Sequence, residues 1–152
     1  MAKILITGGT GLIGLRLKKT LIDKNHEVII LTRKPKNNDE FMWDLSSNYI
    51  DEKALENTDY IIHLAGAGIA EKRWTKKRKK IIIDSRVKTT NMLLKKVNEL
   101  KIDLKGFISA SGVGYYGALT TKEIFKETAK PGSDFLADVC QKWEQAAQQF
   151  ST

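Results

Sequence analysis

The 152-residue chain has a single cysteine, Cys140, and only two histidines. One cysteine excludes an internal disulfide and fits a reducing compartment, so a cytoplasmic location is expected. His26 and His63 lie far apart without cysteine partners, which argues against zinc; no metal is expected. No apolar run approaches the roughly 20 residues that span a bilayer, so no membrane partner is expected. The first residues run straight into an apolar segment, and no signal peptide is expected. Internal repeats and low-complexity linkers are also missing.

What is present fits one globular domain with a core: 41% hydrophobic and 29% charged residues. The net charge is +8, and Lys72, Arg73, Lys76, Lys77, Arg78, Lys79 and Lys80 carry much of it. Such a cluster can attract the phosphates of a nucleic acid or a cofactor. A solvated face at the start of a helix is the reading favoured here, because only Trp74 interleaves an aromatic ring. Basic residues at a helix N-terminus oppose its dipole, which leaves room for an anionic ligand nearby.

Residues 3–14 are the most informative stretch. Ile4, Leu5 and Ile6 form an apolar run, Thr7 ends it, and Gly8, Gly11 and Gly14 follow at three-residue spacing. Leu15, Leu17, Leu21 and Ile22 then continue at helical intervals. Strand, tight turn and helix start point main-chain amides and a helix dipole at an anion. Gly8 allows the turn, Gly11 lets a pyrophosphate approach, and Gly14 lets the helix pack close to the strand. With Thr10, Leu12 and Ile13 between them, these residues make a candidate dinucleotide loop. A triphosphatase loop ranks lower: Gly9 and Gly14 have its spacing, but Leu15 and Arg16 stand where that loop needs lysine and a hydroxyl residue.

Apolar strands near 3–7, 27–32, 60–65 and 106–111 alternate with helices near 12–24, 76–99 and 134–150. A short strand is expected near 41–43, a turn at Asn37–Asp39, and an exposed loop from Thr120 to Gly132. The alternation predicts an α/β fold, a doubly wound parallel sheet with helices on both faces. The last helix carries an apolar stripe (Phe135, Val139, Trp143, Ala147) just before the chain stops. An unfinished sheet is expected to leave an edge and that helix face uncovered, favouring a homodimer.

The carboxyl ends of the strands carry the candidate site. The second ends in Thr32 and Arg33, where an NAD-selective site would place a carboxylate; a guanidinium suits a 2′-phosphate, so NADP is expected over NAD. Leu64, Ala65 and Gly66 end the third, and their small side chains let a ribose lie against the backbone. Ser111, Tyr115 and Tyr116 follow the fourth and are the candidate catalytic groups: Ser111 to bond a carbonyl or alcohol, a tyrosine to move a proton. His63 reads as a packed histidine.

Residues Thr7–Gly14, Leu64-Ala65-Gly66 and Ser109–Gly117 resemble the extended short-chain dehydrogenase/reductases. Gly68-Ile69-Ala70, Arg73-Trp74-Thr75, Asp84-Ser85-Arg86 and Cys140-Gln-Lys-Trp-Glu144 narrow the resemblance to the nucleoside-diphosphate-sugar epimerase-like subgroup, also labelled cell-division inhibitor. The resemblance covers the N-terminal part of such proteins. It implies a Rossmann domain over residues 1–152 that lacks the C-terminal substrate-binding part, with NADP bound. It also implies Asp44 beside the adenine and Arg86 near the cofactor. The wider family uses Tyr-x-x-x-Lys on the helix after the active-site loop; here Phe135–Glu144 has no tyrosine. The expected function is hydride transfer on an unknown small-molecule substrate, a nucleotide sugar among the candidates. A non-catalytic dinucleotide-binding regulatory module is the alternative, and a basic nucleic-acid binder ranks below both.

Overall fold

The computed structural model describes residues 1–151. Six strands form one sheet: β1 (Lys3–Thr7), β2 (Glu27–Thr32), β3 (Glu40–Asp44), β4 (Tyr49–Ile50), β5 (Tyr60–His63) and β6 (Gly106–Ser109). Their order is β4-β3-β2-β1-β5-β6, parallel throughout except for the β3–β4 hairpin. Three helices connect or follow them: α1 (Leu12–Asp23), α2 (Lys76–Glu99) and α3 (Phe135–Gln148). From β1 the chain moves outward to β2 and β3, then returns past β1 to β5 and β6. The strand order therefore reverses between β1 and β5, the place where ligands bind in open α/β sheets.

Apolar runs on the central strands bury both faces, as a parallel sheet requires. Ile4, Ile6, Val28 and Ile62 face one way and pack with Leu17 and Leu21 of α1. Leu5, Ile29, Leu31 and Ile61 face the other way, against Met92, Leu93 and Val97 of α2 and the ring of Trp43. Thr75 caps α2, accepting from the Arg78 amide at 3.1 Å. Asp134 caps α3, accepting from Leu136 and Ala137 at 2.9 and 3.0 Å. Gly11 caps α1 without any side-chain bond.

The structure corrects several expectations. The β3 strand is longer than residues 41–43, and the two-residue β4 beside it is too short to leave an alternating pattern. Strand β5 stops at His63: Leu64 makes a last bond to the Thr7 carbonyl at 3.1 Å, and the Ala65 amide then turns to the Thr7 hydroxyl at 3.2 Å. Strand β6 likewise stops at Ser109, not at 111. The apolar stripe of the last helix is covered: Ala137, Val139, Cys140, Trp143 and Ala146 are buried. On the sheet itself, Ile108 of β6 shares the face of Ile62 and is 55% exposed.

The turn after β1 depends on two glycines. Gly8 has φ +71°, a left-handed conformation that side chains disfavour. A Cβ at Gly14 would stand 2.4 Å from the Gly8 carbonyl oxygen and 2.5 Å from the Gly9 Cα. Gly14→Ala must therefore push α1 off the turn, with an expected loss of about 1–3 kcal/mol, the range for overpacked sites. Urea unfolding with an unchanged midpoint would show that the contact is looser than described.

Candidate functional site

A cleft of about 590 Å³ opens at the carboxyl ends of β1 and β5. Its floor is the glycine turn, with Gly8, Thr10 and Gly11. One wall is the segment after β5, Leu64 to Ala67; another is Leu31, Thr32 and Arg33 at the end of β2, with Trp43 and Leu45 behind. Ile81, Asp84, Ser85 and Thr89 of α2 close the far side.

The floor presents bare backbone. A Cβ at Gly11 would meet only the Gly8 carbonyl, at 3.3 Å, and the first turn of α1 carries no acidic residue. The first amides of a helix have no partners within it, so this end is a natural seat for an anion. Leu12 and Ile13 are 91% and 69% exposed, outside the cleft lining. Gly14 is buried behind the turn.

Arg33 is exposed on the β2 rim of the cleft. The Asp44 carboxylate is occupied locally: the Ser46 amide and hydroxyl reach it at 2.9 and 2.8 Å, and the Ser47 hydroxyl at 2.9 Å. Those bonds, the Ser46 hydroxyl foremost, hold it below the usual carboxylate range. Its neighbours Trp43 and Leu45 line the cleft in its place.

Arg86 supports the wall from behind. It is buried and donates to the carbonyls of Ala67 and Ile82, both at 3.1 Å. A Cβ on Gly66 would lie 2.8 Å from its guanidinium carbon, and the guanidinium stacks 5.0 Å over the Trp143 ring. Ser85 fixes the same segment by accepting from the Ala67 amide at 2.9 Å. Ion pairs from Lys80 and Lys88, at 2.8 and 3.0 Å, overcome burial and keep Asp84 below its ordinary value. Asp84, Ser85 and Thr89 were not among the expected site residues; only a helix face aimed at the cleft identifies them.

The three candidate catalytic residues stand outside the cleft lining. Tyr116 donates to the Lys126 carbonyl at 3.3 Å and stacks 4.6 Å from Phe125, so it anchors the polar loop. Tyr115 meets the Tyr116 ring edge-on at 5.3 Å. The Ser111 hydroxyl donates to the carboxylate of Glu144 on α3. The basic cluster near residue 76 is largely exposed, as a solvated face would be, with Lys79 over Phe135 at 4.7 Å.

His63 lies beneath the cleft and is fully buried. Its Nδ1 is 2.7 Å from the Thr7 hydroxyl and its Nε2 is 3.3 Å from the Thr89 hydroxyl. The Ala65 amide donates to the Thr7 hydroxyl, which then donates to Nδ1; this assigns the proton to Nε2, which faces Thr89. Thr89 passes its own proton to the Ser85 carbonyl at 2.8 Å. Burial pushes the imidazole down to about 4, so it is neutral at pH 7.

A profile of the NAD dependent epimerase/dehydratase family matches residues 4–137. An epimerase family protein of Mycobacterium leprae is 36% identical over 146 residues, 95% of this chain and 47% of that protein. The crystal structure of a human epimerase family protein with NADPH superposes with TM-score 0.80 at 30% identity, covering 95% of this chain and 48% of the other. A nucleoside-diphosphate sugar epimerase from Corynebacterium glutamicum gives 0.82 at 36% identity, covering 99% of this chain and 31% of its partner. The chain thus spans about half the length, or less, of the proteins it matches. Among the described residues no helix is long and apolar enough to cross a membrane.

The buried histidine has a pH signature. Its folded value, about 4, lies below the ordinary 6.5, so the unfolded chain takes up the proton first as pH falls. Its contribution is complete above pH 6.5 and is lost between 6.5 and about 4, on the order of 3 kcal/mol. His63→Gln should cost stability at pH 7 yet flatten the slope across that window. Urea midpoints with the same slope in both proteins would exclude His63 as its source.

Proposed function

The chain belongs to the NAD-dependent epimerase/dehydratase family, and from that premise we propose that its cleft holds a nicotinamide dinucleotide, NADP(H) rather than NAD(H), for hydride transfer at a carbonyl or alcohol carbon. One observation carries the reading: a helix N-terminus of bare backbone, with no side-chain cap, opens into a cleft whose β2 rim carries Arg33 and no carboxylate. The donor set suits the cofactor. Main-chain amides from Leu12 to Gly14 would take the pyrophosphate, the Gly11 amide being bonded to the Gly8 carbonyl at 3.0 Å, and Arg33 the 2′-phosphate, where a planar guanidinium bonds two oxygens at once. Ala65 and Gly66 would face the ribose, and Trp43 and Leu45, flanking Asp44, would wall the adenine end. When bound, the dinucleotide supplies the hydride acceptor or donor.

In this reading the chain is the dinucleotide-binding half of a larger unit. The human relative crystallised with NADPH supports the cofactor. The Corynebacterium glutamicum relative, described as a nucleoside-diphosphate sugar epimerase, supports a sugar nucleotide as the substrate class. The role of this chain's residues is to seat the pyrophosphate, to select the 2′-phosphate, and to keep the wall after β5 rigid through Arg86 and Ser85.

Calorimetry with NADPH and NADH tests the proposal. The expected result is tighter binding of NADPH. Arg33→Asp should weaken NADPH by roughly 10-fold to 100-fold, since a hydrogen bond to a charged group contributes about 1.5–3 kcal/mol. NADH should change by no more than a few-fold. Equal losses for both cofactors would remove Arg33 from the 2′-phosphate, and no binding of either would sink the dinucleotide reading.

A further inference from the structure

We propose that Glu144, acting through Ser111, accepts and returns the proton in this site, replacing the tyrosine and lysine that α3 lacks. The proposal rests on the hydride-transfer reading above. Helix α3 has no tyrosine, and its one lysine, Lys142, pairs with Asp138 at 2.6 Å on an exposed face. Another group must handle the proton that accompanies a hydride.

Ser111 does not line the cleft itself, but the topology sets it beside a wall that does. Ser109 is in register with His63, and the Ala110 amide donates to the His63 carbonyl at 3.0 Å. The chain after β6 therefore leaves the sheet beside the segment after β5 that walls the cleft. Ser111 is exposed there, and its hydroxyl donates to Glu144, which is half-buried on α3 one turn after Cys140. A serine hydroxyl bonded to a carboxylate is a ready relay: it can accept a proton from a ligand only while passing its own to the partner.

Four titratable groups near this cluster, Tyr116, Cys140, His63 and Arg86, are otherwise engaged. The Tyr116 hydroxyl is spent on the Lys126 carbonyl. The Cys140 sulfur is 3.6 Å from the Gly112 carbonyl, and burial, then the Glu144 charge, push its thiol up and keep it protonated. Both ring nitrogens of His63 are bonded below the cleft. Arg86 has its guanidinium on carbonyls and on the Trp143 ring.

In the oxidation direction the substrate O–H proton moves to the Ser111 Oγ as the Ser111 proton moves to the Glu144 carboxylate. An oxidised nicotinamide dinucleotide held in the cleft would supply the acceptor for the hydride that the substrate carbon gives up as its C=O bond forms. Half-exposed Glu144 then releases its proton to water. Reduction runs the same steps in reverse. Ser111 is the catalytic residue that touches substrate, and Glu144 is the group that positions and discharges it.

The test uses this chain, NADPH, and phenanthrenequinone as the carbonyl probe. Glu144→Gln should lower kcat by roughly 100-fold, the scale of general acid–base catalysis. KM for the quinone and NADPH affinity by calorimetry should stay within about threefold. Glu144→Asp should recover more rate than Gln, Ser111→Thr should stay near the parent, and Ser111→Ala combined with Glu144→Gln should be no slower than either alone. A second readout needs no cofactor. Ultraviolet titration of the only thiol should move its midpoint down in Glu144→Gln and up in Ser111→Ala, because Glu144 raises the Cys140 thiol and Ser111 lowers it. Parent-like kcat in Glu144→Gln, equal loss in Gln and Asp variants with lowered unfolding midpoints, or unmoved thiol midpoints would each overturn the relay. So would a parent chain that binds NADPH and reduces no quinone. A parent that binds no NADPH would instead sink the reading on which the relay stands.

Discussion

The contact between Gly14 and the carbonyl of Gly8 is the constraint from which the rest of the site follows. With no Cβ at Gly14, the first turn of α1 rests directly on the backbone of the turn that feeds it. That closeness aims the helix N-terminus across the end of β1. It also leaves Gly8 against the carbonyl of Leu64, where a Cβ would lie at 3.1 Å, so the turn and the start of the β5 wall are in contact. Open the glycine turn by one methyl group and both walls must move.

Below this turn a polar thread crosses the core. It runs from the Ala65 amide through Thr7, His63 and Thr89 to the Ser85 carbonyl, joining β1, the segment after β5, and α2. Every group in it is bonded, which is the condition under which polar atoms stabilise rather than weaken a low-dielectric interior. Arg86 does the same work one turn away, holding the carbonyl of Ala67 while its guanidinium packs against Gly66. A wall built of small residues, which a ligand can approach closely, is thereby made rigid by charged and polar side chains behind it.

The β1–α1 turn and Arg33 at the end of β2 line the cleft, while Ser111, after β6, pairs with the Glu144 carboxylate outside that lining. Tyr116 ties down the polar loop, stacking on Phe125 and donating to the Lys126 carbonyl. The bare face of Ile108 shows where the sheet has no covering helix among the described residues.

Much of this was legible in order along the chain. Residues 3–14 specified strand, turn and helix, because backbone conformation and apolar period are properties of neighbours. Arg33 at a strand end and the burial of His63 followed from the same reasoning. The two-residue β4 and the Asp44 carboxylate were missed although both are local, one too short for an alternating pattern and the other held by Ser46 and Ser47; the covered stripe of α3 was missed because distant segments cover it. The Ser111–Glu144 pair is separated by 33 residues, and the α2 face at Asp84 and Ser85 reaches the cleft only through the strand order. The sequence by itself determined the alternating elements and the anion-seeking turn, for these rest on interactions within a few residues. Only the tertiary structure decided which side chains face the cleft, because parallel strands bring their ends together through long crossovers whose register no local pattern encodes.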